Sequence, residues 1–194
     1  MTALLSGPIV GILLAAGSAS RFGGDKLLAP LEDGTPLGVR ALINLAACVE
    51  RVVAVVRPGD HALARALSGH GADVTFCTYA ALGMGQSLAW AIRATPLAKV
   101  WVVALADMPW IQVATTRRIV DALESGSALV AASHQGVRGH PVGFSRRYYG
   151  ELAALSGDEG AKAIVRAHER ELQLIETDDV GVSRDIDTPA DLAR

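Results

Sequence analysis

The chain has 194 residues, a length that suits one α/β domain over 1–194 burying roughly 70% of its unfolded surface. Hydrophobic residues make up 51% and aromatics only 5%, so Ala, Val, Leu and Ile must build the core. A net charge of −2 argues against a nucleic-acid-binding face but leaves room for a local anion site. The only cysteines, Cys48 and Cys77, lie outside any CxxC or CxH pattern, which argues against disulfides or zinc and fits a reducing, cytoplasmic compartment. The apolar stretch at 9–16 is too short to span a membrane and lacks a basic flank, so no membrane partner is expected.

The first element is "PIVGILLA" (8–15), a continuously apolar strand. Next comes "LAAGSASRFGGDK" (14–26), a loop short of side chains, and then Thr35-Pro36 as N-cap and first helical residue of "LGVRALINLAA". "RVVAVVR" (51–57) and "ADVTFC" (72–77) read as strands. Met84, Leu88, Ala91 and Ile92 share a helical face. "KVWVVALA" (99–106) is a strand, Thr116, Ile119, Val120 and Leu123 mark the following helix, and "SALVAAS" (127–133) is another strand. "HQGVRGHPVGF" reads as an extended excursion. Ala161, Ile164, Val165 and His168 form a last helical face behind the acidic Asp158-Glu159. Strands covered on both faces and alternating with helices indicate a three-layer α/β fold around a mainly parallel, doubly wound sheet. Ligands in such sheets sit at the carboxyl ends of the strands, so the loops leaving strands are where chemistry is expected.

In the first loop Gly17, Gly23 and Gly24 let backbone N–H groups approach phosphates closely, Arg21 can fork onto two phosphate oxygens and Lys26 supplies a point charge. The loop is neither a Walker A motif, since Asp25 separates Gly24 from Lys26, nor a dinucleotide fingerprint, since Ala19 replaces the second glycine. Asp107 stands just beyond the strand at 99–106; it suits either a Mg²⁺ ligand or a turn former. Gly83 and Gly85 in "GMGQSL" would admit a flat base, with the Ser87 hydroxyl on its edge, or simply punctuate a helix start. Arg138 and His140 in "RGHPVGF" are candidates for a phosphate or pterin contact. His61, His70, His134 and His168 have no metal-ligand spacing, and the tryptophans Trp90, Trp101 and Trp110 suit a core or pocket wall.

"LAAGSASRFGGDKLL" resembles the signature loop of the molybdenum-cofactor-type nucleotidyltransferases, usually LAAGxSxRMGxxK, with Phe22 replacing the methionine. "GMGQSLAWAI", "LADMPWI", "RGHPVGF", "GDEGAKAI" and "DIDTPADL" resemble further family segments in order, and together they favour the molybdenum cofactor cytidylyltransferase branch. The resemblance implies a Rossmann-like nucleotidyltransferase fold, Mg²⁺ as cofactor, and CTP and molybdopterin cofactor as substrates. The reaction would pass CMP to the terminal phosphate of the cofactor and release pyrophosphate. It further implies that Leu14, Ala15, Ala16 and Gly17 surround the base with Gly83, Gly85 and Ser87, that Asp187 is a second metal ligand beside Asp107, and that Asp158 lies in an acceptor-binding segment. Catalysis would rest on Arg21, Lys26 and Asp107, with delivery to a xanthine-dehydrogenase-like molybdoenzyme. The alternatives are a CTP- or GTP-dependent transferase acting on another phosphorylated acceptor, and a non-catalytic carrier of the cofactor.

Overall fold

The computed structural model describes residues 7–17, 22 and 25–193. Its sheet contains β1 (Ile9–Leu14), β2 (Arg51–Val56), β3 (Asp73–Phe76), β4 (Val100–Leu105), β5 (Leu129–His134), β6 (Val137–Ser145) and β7 (Leu172–Glu176), in the order β3-β2-β1-β4-β6-β5-β7. Four of the six neighbouring pairs are parallel, and only the two involving β6 are antiparallel. All six residues of β1 are buried, because helices cover both sheet faces.

On one face, α1 (Leu37–Ala46), α2 (His61–Ser68) and α4 (Val113–Glu124) deliver Leu42, Leu67 and Ile119 to one apolar cluster. On the other, α3 (Met84–Ala94), α5 (Tyr149–Ala153) and α6 (Lys162–Ala167) deliver Leu88, Leu152 and Ile164 to a second. Trp101 is fully buried in that second layer and donates its Nε1–H to Thr95 Oγ1 at 2.9 Å. The result is a three-layer α/β architecture, as the strand–helix alternation implies.

Three features differ from the sequence reading. The stretch at 134–144 is extended, as expected, but stays in the sheet as a hairpin: Gln135 (φ 50) and Gly136 (φ 75) make a two-residue turn, pairing His134 with Val137 and Ser133 with Arg138. Both central residues have positive φ, which glycine tolerates freely and glutamine seldom adopts, so "QG" is a weak hairpin signal. Second, α1 begins at Leu37, with Pro36 still extended (ψ 139) and without a side-chain cap. Thr35 is instead held in a turn, its N–H donating to Asp33 Oδ1 at 2.9 Å. Third, α2, α5 and β7 carry no distinct sequence signal; in β7 only Ile175 is buried.

Candidate active site

Strands β1, β2 and β4 end side by side. The Ala15 amide donates to Val55 O at 2.9 Å and the Ala106 amide to Leu14 O at 3.0 Å, so hydrogen bonding persists to the point where the chain leaves the sheet. A cavity of about 510 Å³ opens above these ends. Leu14, Ala15, Ala16 and Gly17 line it from β1, and Gly83 and Ser87 from the start of α3. Lys26, Asp107, Asp158 and Asp187 contribute to its polar lining. Arg21, Gly23 and Gly24 lie outside the described residues.

Two distant stretches of chain bring the carboxylates together. Asp107 follows β4 directly, and its carbonyl accepts the Ile186 amide at 3.0 Å, which docks the C-terminal segment and sets Asp187 beside it. Asp191 Oδ2 then accepts from the amides of Asp187 (3.2 Å) and Thr188 (2.8 Å) and from Thr188 Oγ1 (2.8 Å), fixing the turn that carries Asp187. Further back, buried Asp179 accepts from the Gln112 amide at 2.8 Å, Thr115 Oγ1 at 2.7 Å and the Gly181 amide at 3.0 Å. A buried carboxylate with three donors satisfied is stable where an unpaired one would not be. Arg184 adds a cation–π contact, 3.9 Å from the Trp110 ring centroid.

Lys26 is buried (8% exposed), although the sequence presents it as a cation in a glycine-rich loop. Its Nζ donates to Asp107 Oδ2 at 2.9 Å and lies 3.6 Å from Asp187 Oδ1. The pair of carboxylates supplies hard oxygen donors of the kind Mg²⁺ and Mn²⁺ take, and Lys26 neutralises part of their charge. Among the described residues no group of three or more His, Cys, Asp or Glu side chains is arranged to hold a metal. A cation held by Asp107 and Asp187 would therefore complete its shell with phosphate oxygens and water, as Mg²⁺ commonly does at nucleotide sites.

The glycines of "GMGQSL" do something the sequence does not reveal. A Cβ on Gly83 (φ 118) would stand 2.4 Å from Asp158 Oδ1 and from the Gly157 carbonyl, and one on Gly85 would stand 2.7 Å from Ser156 O. The Gly85 amide donates to Gly157 O at 2.8 Å. These glycines thus seat the loop at 156–158 against the start of α3 and bring Asp158 to the cavity. Gly85 itself is not part of the cavity lining.

Arg138 and His140 also lie outside that lining, but both belong to the carboxyl edge of the parallel strands, because β6 runs antiparallel to β4. A Cβ on Gly139 between them would fall 1.7 Å from Val182 O, so the backbones of β6 and the segment at 180–183 touch there. His140 Nδ1 is enclosed and has no hydrogen-bond partner among the described residues. Burial pushes its imidazole below the ordinary histidine value; the Val103 carbonyl and Asp107 oppose that shift, and Arg138 and Lys162 add to it.

One charged residue of the cavity lining escaped the sequence reading. Arg57, just past β2, lines the main cavity, and its Nε donates to Asp60 Oδ2 at 3.2 Å. A cation directly after a parallel strand and before a Pro-Gly turn is the signal that would have found it.

A model of the MobA-like NTP transferase domain matches residues 11–172. The chain is 30% identical to the purine catabolism protein PucB of Bacillus subtilis, over 93% of this chain and 92% of PucB. It is 27% identical to the nicotine blue oxidoreductase of Paenarthrobacter nicotinovorans, over 96% of this chain and 95% of that protein. The crystal structure of Rv0371c from Mycobacterium tuberculosis superimposes with a TM-score of 0.81 at 30% identity, covering 97% of both chains. Its manganese complex gives a TM-score of 0.79 at 29% identity, over 96% of this chain and 97% of that one.

Proposed function

Since the chain belongs to the MobA-like NTP transferase family, we propose that it transfers CMP from CTP to the terminal phosphate of molybdopterin cofactor. An oxygen of the acceptor phosphate attacks the α-phosphorus of CTP as the bond from that phosphorus to the bridging oxygen breaks, and pyrophosphate leaves. The acceptor oxygen is already anionic, so no strong general base is needed, and the protein's task is alignment and charge compensation.

The observation carrying this reading is the single cavity in which the exit of β1, Ser87 and the Asp107–Lys26–Asp187 cluster face one another. Leu14 to Gly17, Gly83 and Ser87 hold the base and ribose, with Gly85 supporting them from behind. Lys26 serves the phosphates, and Arg21, outside the described residues, is given the same role from its place in the sequence of the glycine-rich loop. Asp107 and Asp187 would hold Mg²⁺, which would supply charge neutralisation at the transferring phosphate; the manganese complex of the structurally similar Rv0371c supports a divalent ion. Asp158, Arg138 and His140 serve the acceptor. The product would pass to a xanthine-dehydrogenase-like molybdoenzyme in the cytoplasm.

A pyrophosphate-release assay with each nucleoside triphosphate and purified molybdopterin cofactor tests this. Release with CTP only when the cofactor is present is the expected result. Equal or faster release with GTP overturns the cytidylyl assignment, and tight binding of the dinucleotide without turnover of CTP makes the protein a carrier.

A further inference from the structure

Arg57 stands two residues beyond Val55, whose carbonyl ties the end of β2 to the exit of β1. It lines both the 510 Å³ cavity and an adjoining one of about 140 Å³. The turn at Pro58-Gly59 (Gly59 φ 94) brings Asp60 round to accept from Arg57 Nε. The carboxylate therefore orients the guanidinium from behind. The terminal nitrogens Nη1 and Nη2 make no hydrogen bond to any described residue. A guanidinium held in this way presents two parallel N–H donors in a fixed fork.

Sheet order decides which part of a nucleotide meets that fork. Arg57 follows β2 and Asp107 follows β4, on opposite sides of β1. Neighbouring strands are about 4.8 Å apart, so the two residues root about 10 Å from each other. Lys26 and the two carboxylates concentrate charge at the β4 end. Arg57 lies toward the other end, where the segment following β3 supplies Ala80, Gly83 and Ser87. A nucleotide whose α-phosphate sits at Asp107 and whose chain crosses β1 brings its base, not its reacting phosphate, to Arg57.

We infer that Arg57 reads the nucleobase, its two terminal N–H groups donating to N3 and O2 of cytosine. This rests on the nucleotidyl-transfer reading above and adds a residue that selects the base. Cytosine offers those two adjacent acceptors. Uracil carries an N3–H donor in the same place, which would face a donor of the fork. Guanine presents donors at N1 and N2 on the corresponding edge and has an acceptor pair only at N7 and O6.

Calorimetric titrations of CTP, UTP and GTP in the presence of Mg²⁺ test this on the wild type, Arg57→Met and Arg57→Lys. The wild type should bind CTP about 10–100-fold more tightly than UTP, the range expected of one good bidentate contact. Arg57→Met should bring the two within about 3-fold, chiefly by weakening CTP. Arg57→Lys keeps the charge but not the fork, so it should lose the discrimination as well. Melting temperatures close to wild type in both variants would show that the fold is intact, because the half-buried Arg57–Asp60 pair at the surface adds little stability. If Arg57→Met retains the CTP/UTP ratio, or Arg57→Lys restores it, Arg57 is not the base reader. Failure of the wild type to bind any nucleotide, or tighter binding of GTP, would overturn the CTP reading itself whatever the variants do.

Discussion

Lys26 Nζ donates to Asp107 Oδ2 at 2.9 Å while standing 3.6 Å from Asp187, so one buried ammonium spans carboxylates contributed by two distant loops. The arrangement joins the glycine-rich loop after β1, the end of β4 and the C-terminal segment. Lys26 therefore has a structural task in addition to its proposed contact with phosphate. Its removal takes away the cation that stands between two neighbouring carboxylates, and like charges at short range are unfavourable.

Lys26→Met is accordingly expected to lower stability by about 1–3 kcal/mol in metal-free buffer, the usual scale for a lost charged hydrogen bond in a partly buried site. For a chain of this size that is about 2–4 °C in Tm for each kcal/mol. Added Mg²⁺ or Mn²⁺ should recover part of the loss, because an ion that binds only the folded carboxylate pair shifts the equilibrium toward it. Scanning calorimetry with and without metal checks both parts. A Tm equal to wild type under both conditions would mean that the ion pair carries no stability.

Asp107→Asn keeps the shape of the side chain but removes the charge that would hold a metal. Turnover is expected to fall by about 10²–10³-fold, the scale of losing one preorganised charge-stabilising group. Half-maximal activity should also move to higher Mg²⁺ concentration. Stability should change little, because Nζ retains Asp187 nearby. Steady-state rates titrated against Mg²⁺ would expose Asp107 as a turn former if neither quantity changed.

Much of this site was legible because its residues sit on features with strong local signals. β1, β2 and β4 are almost continuously apolar, and Asp107 and the glycine-rich loop leave their carboxyl ends, where a doubly wound sheet places ligands. What escaped was tertiary. Nothing local says that Gly83 and Gly85 pack against the backbone at 156–158, or that Ile186 pairs with Asp107 and carries Asp187 with it. Lys26 reads only as a cation for phosphates until its burial against Asp107 and Asp187 is known. The β5–β6 hairpin was hidden because Gln135 occupies a left-handed position that Asn or Asp usually fills.

Two glycines should respond oppositely to the same substitution. Around Gly17, which lines the cavity, an added Cβ meets nothing within 4 Å. Gly17→Ala should therefore leave stability within about 0.5 kcal/mol of wild type and yet weaken nucleotide binding by obstructing the ligand. At Gly139 the Cβ would stand 1.7 Å from Val182 O, a backbone atom that cannot swing aside. Gly139→Ala should destabilise by more than about 3 kcal/mol, in the range of severe overpacking. Urea denaturation and nucleotide titration on both variants check the contrast; a fully stable Gly139→Ala would mean that β6 and the segment at 180–183 do not touch.

Two histidines should give the stability profile opposing slopes near neutral pH. His168 contacts Glu151 (Nε2 to Oε2, 3.0 Å) and Glu171 (Nδ1 to Oε1, 3.4 Å), and the Glu151 hydrogen bond foremost raises its pKa above the ordinary 6.5. A raised folded value means that protonated His168 favours the native state. Its contribution is therefore fully present below pH 6.5 and disappears as pH rises through the higher folded value. His140 has the reverse sign: burial lowers its pKa, so its neutral ring favours folding above pH 6.5, and that advantage declines as pH falls toward its lower folded value. Urea midpoints followed from pH 5 to 8 should show His168→Gln losing stability relative to wild type mainly on the acid side, with the gap closing as pH rises. His140→Gln should narrow the acid-side loss seen in the wild type. A His168→Gln gap that stayed constant across the range would remove the Glu151–His168–Glu171 contact as a source of pH dependence.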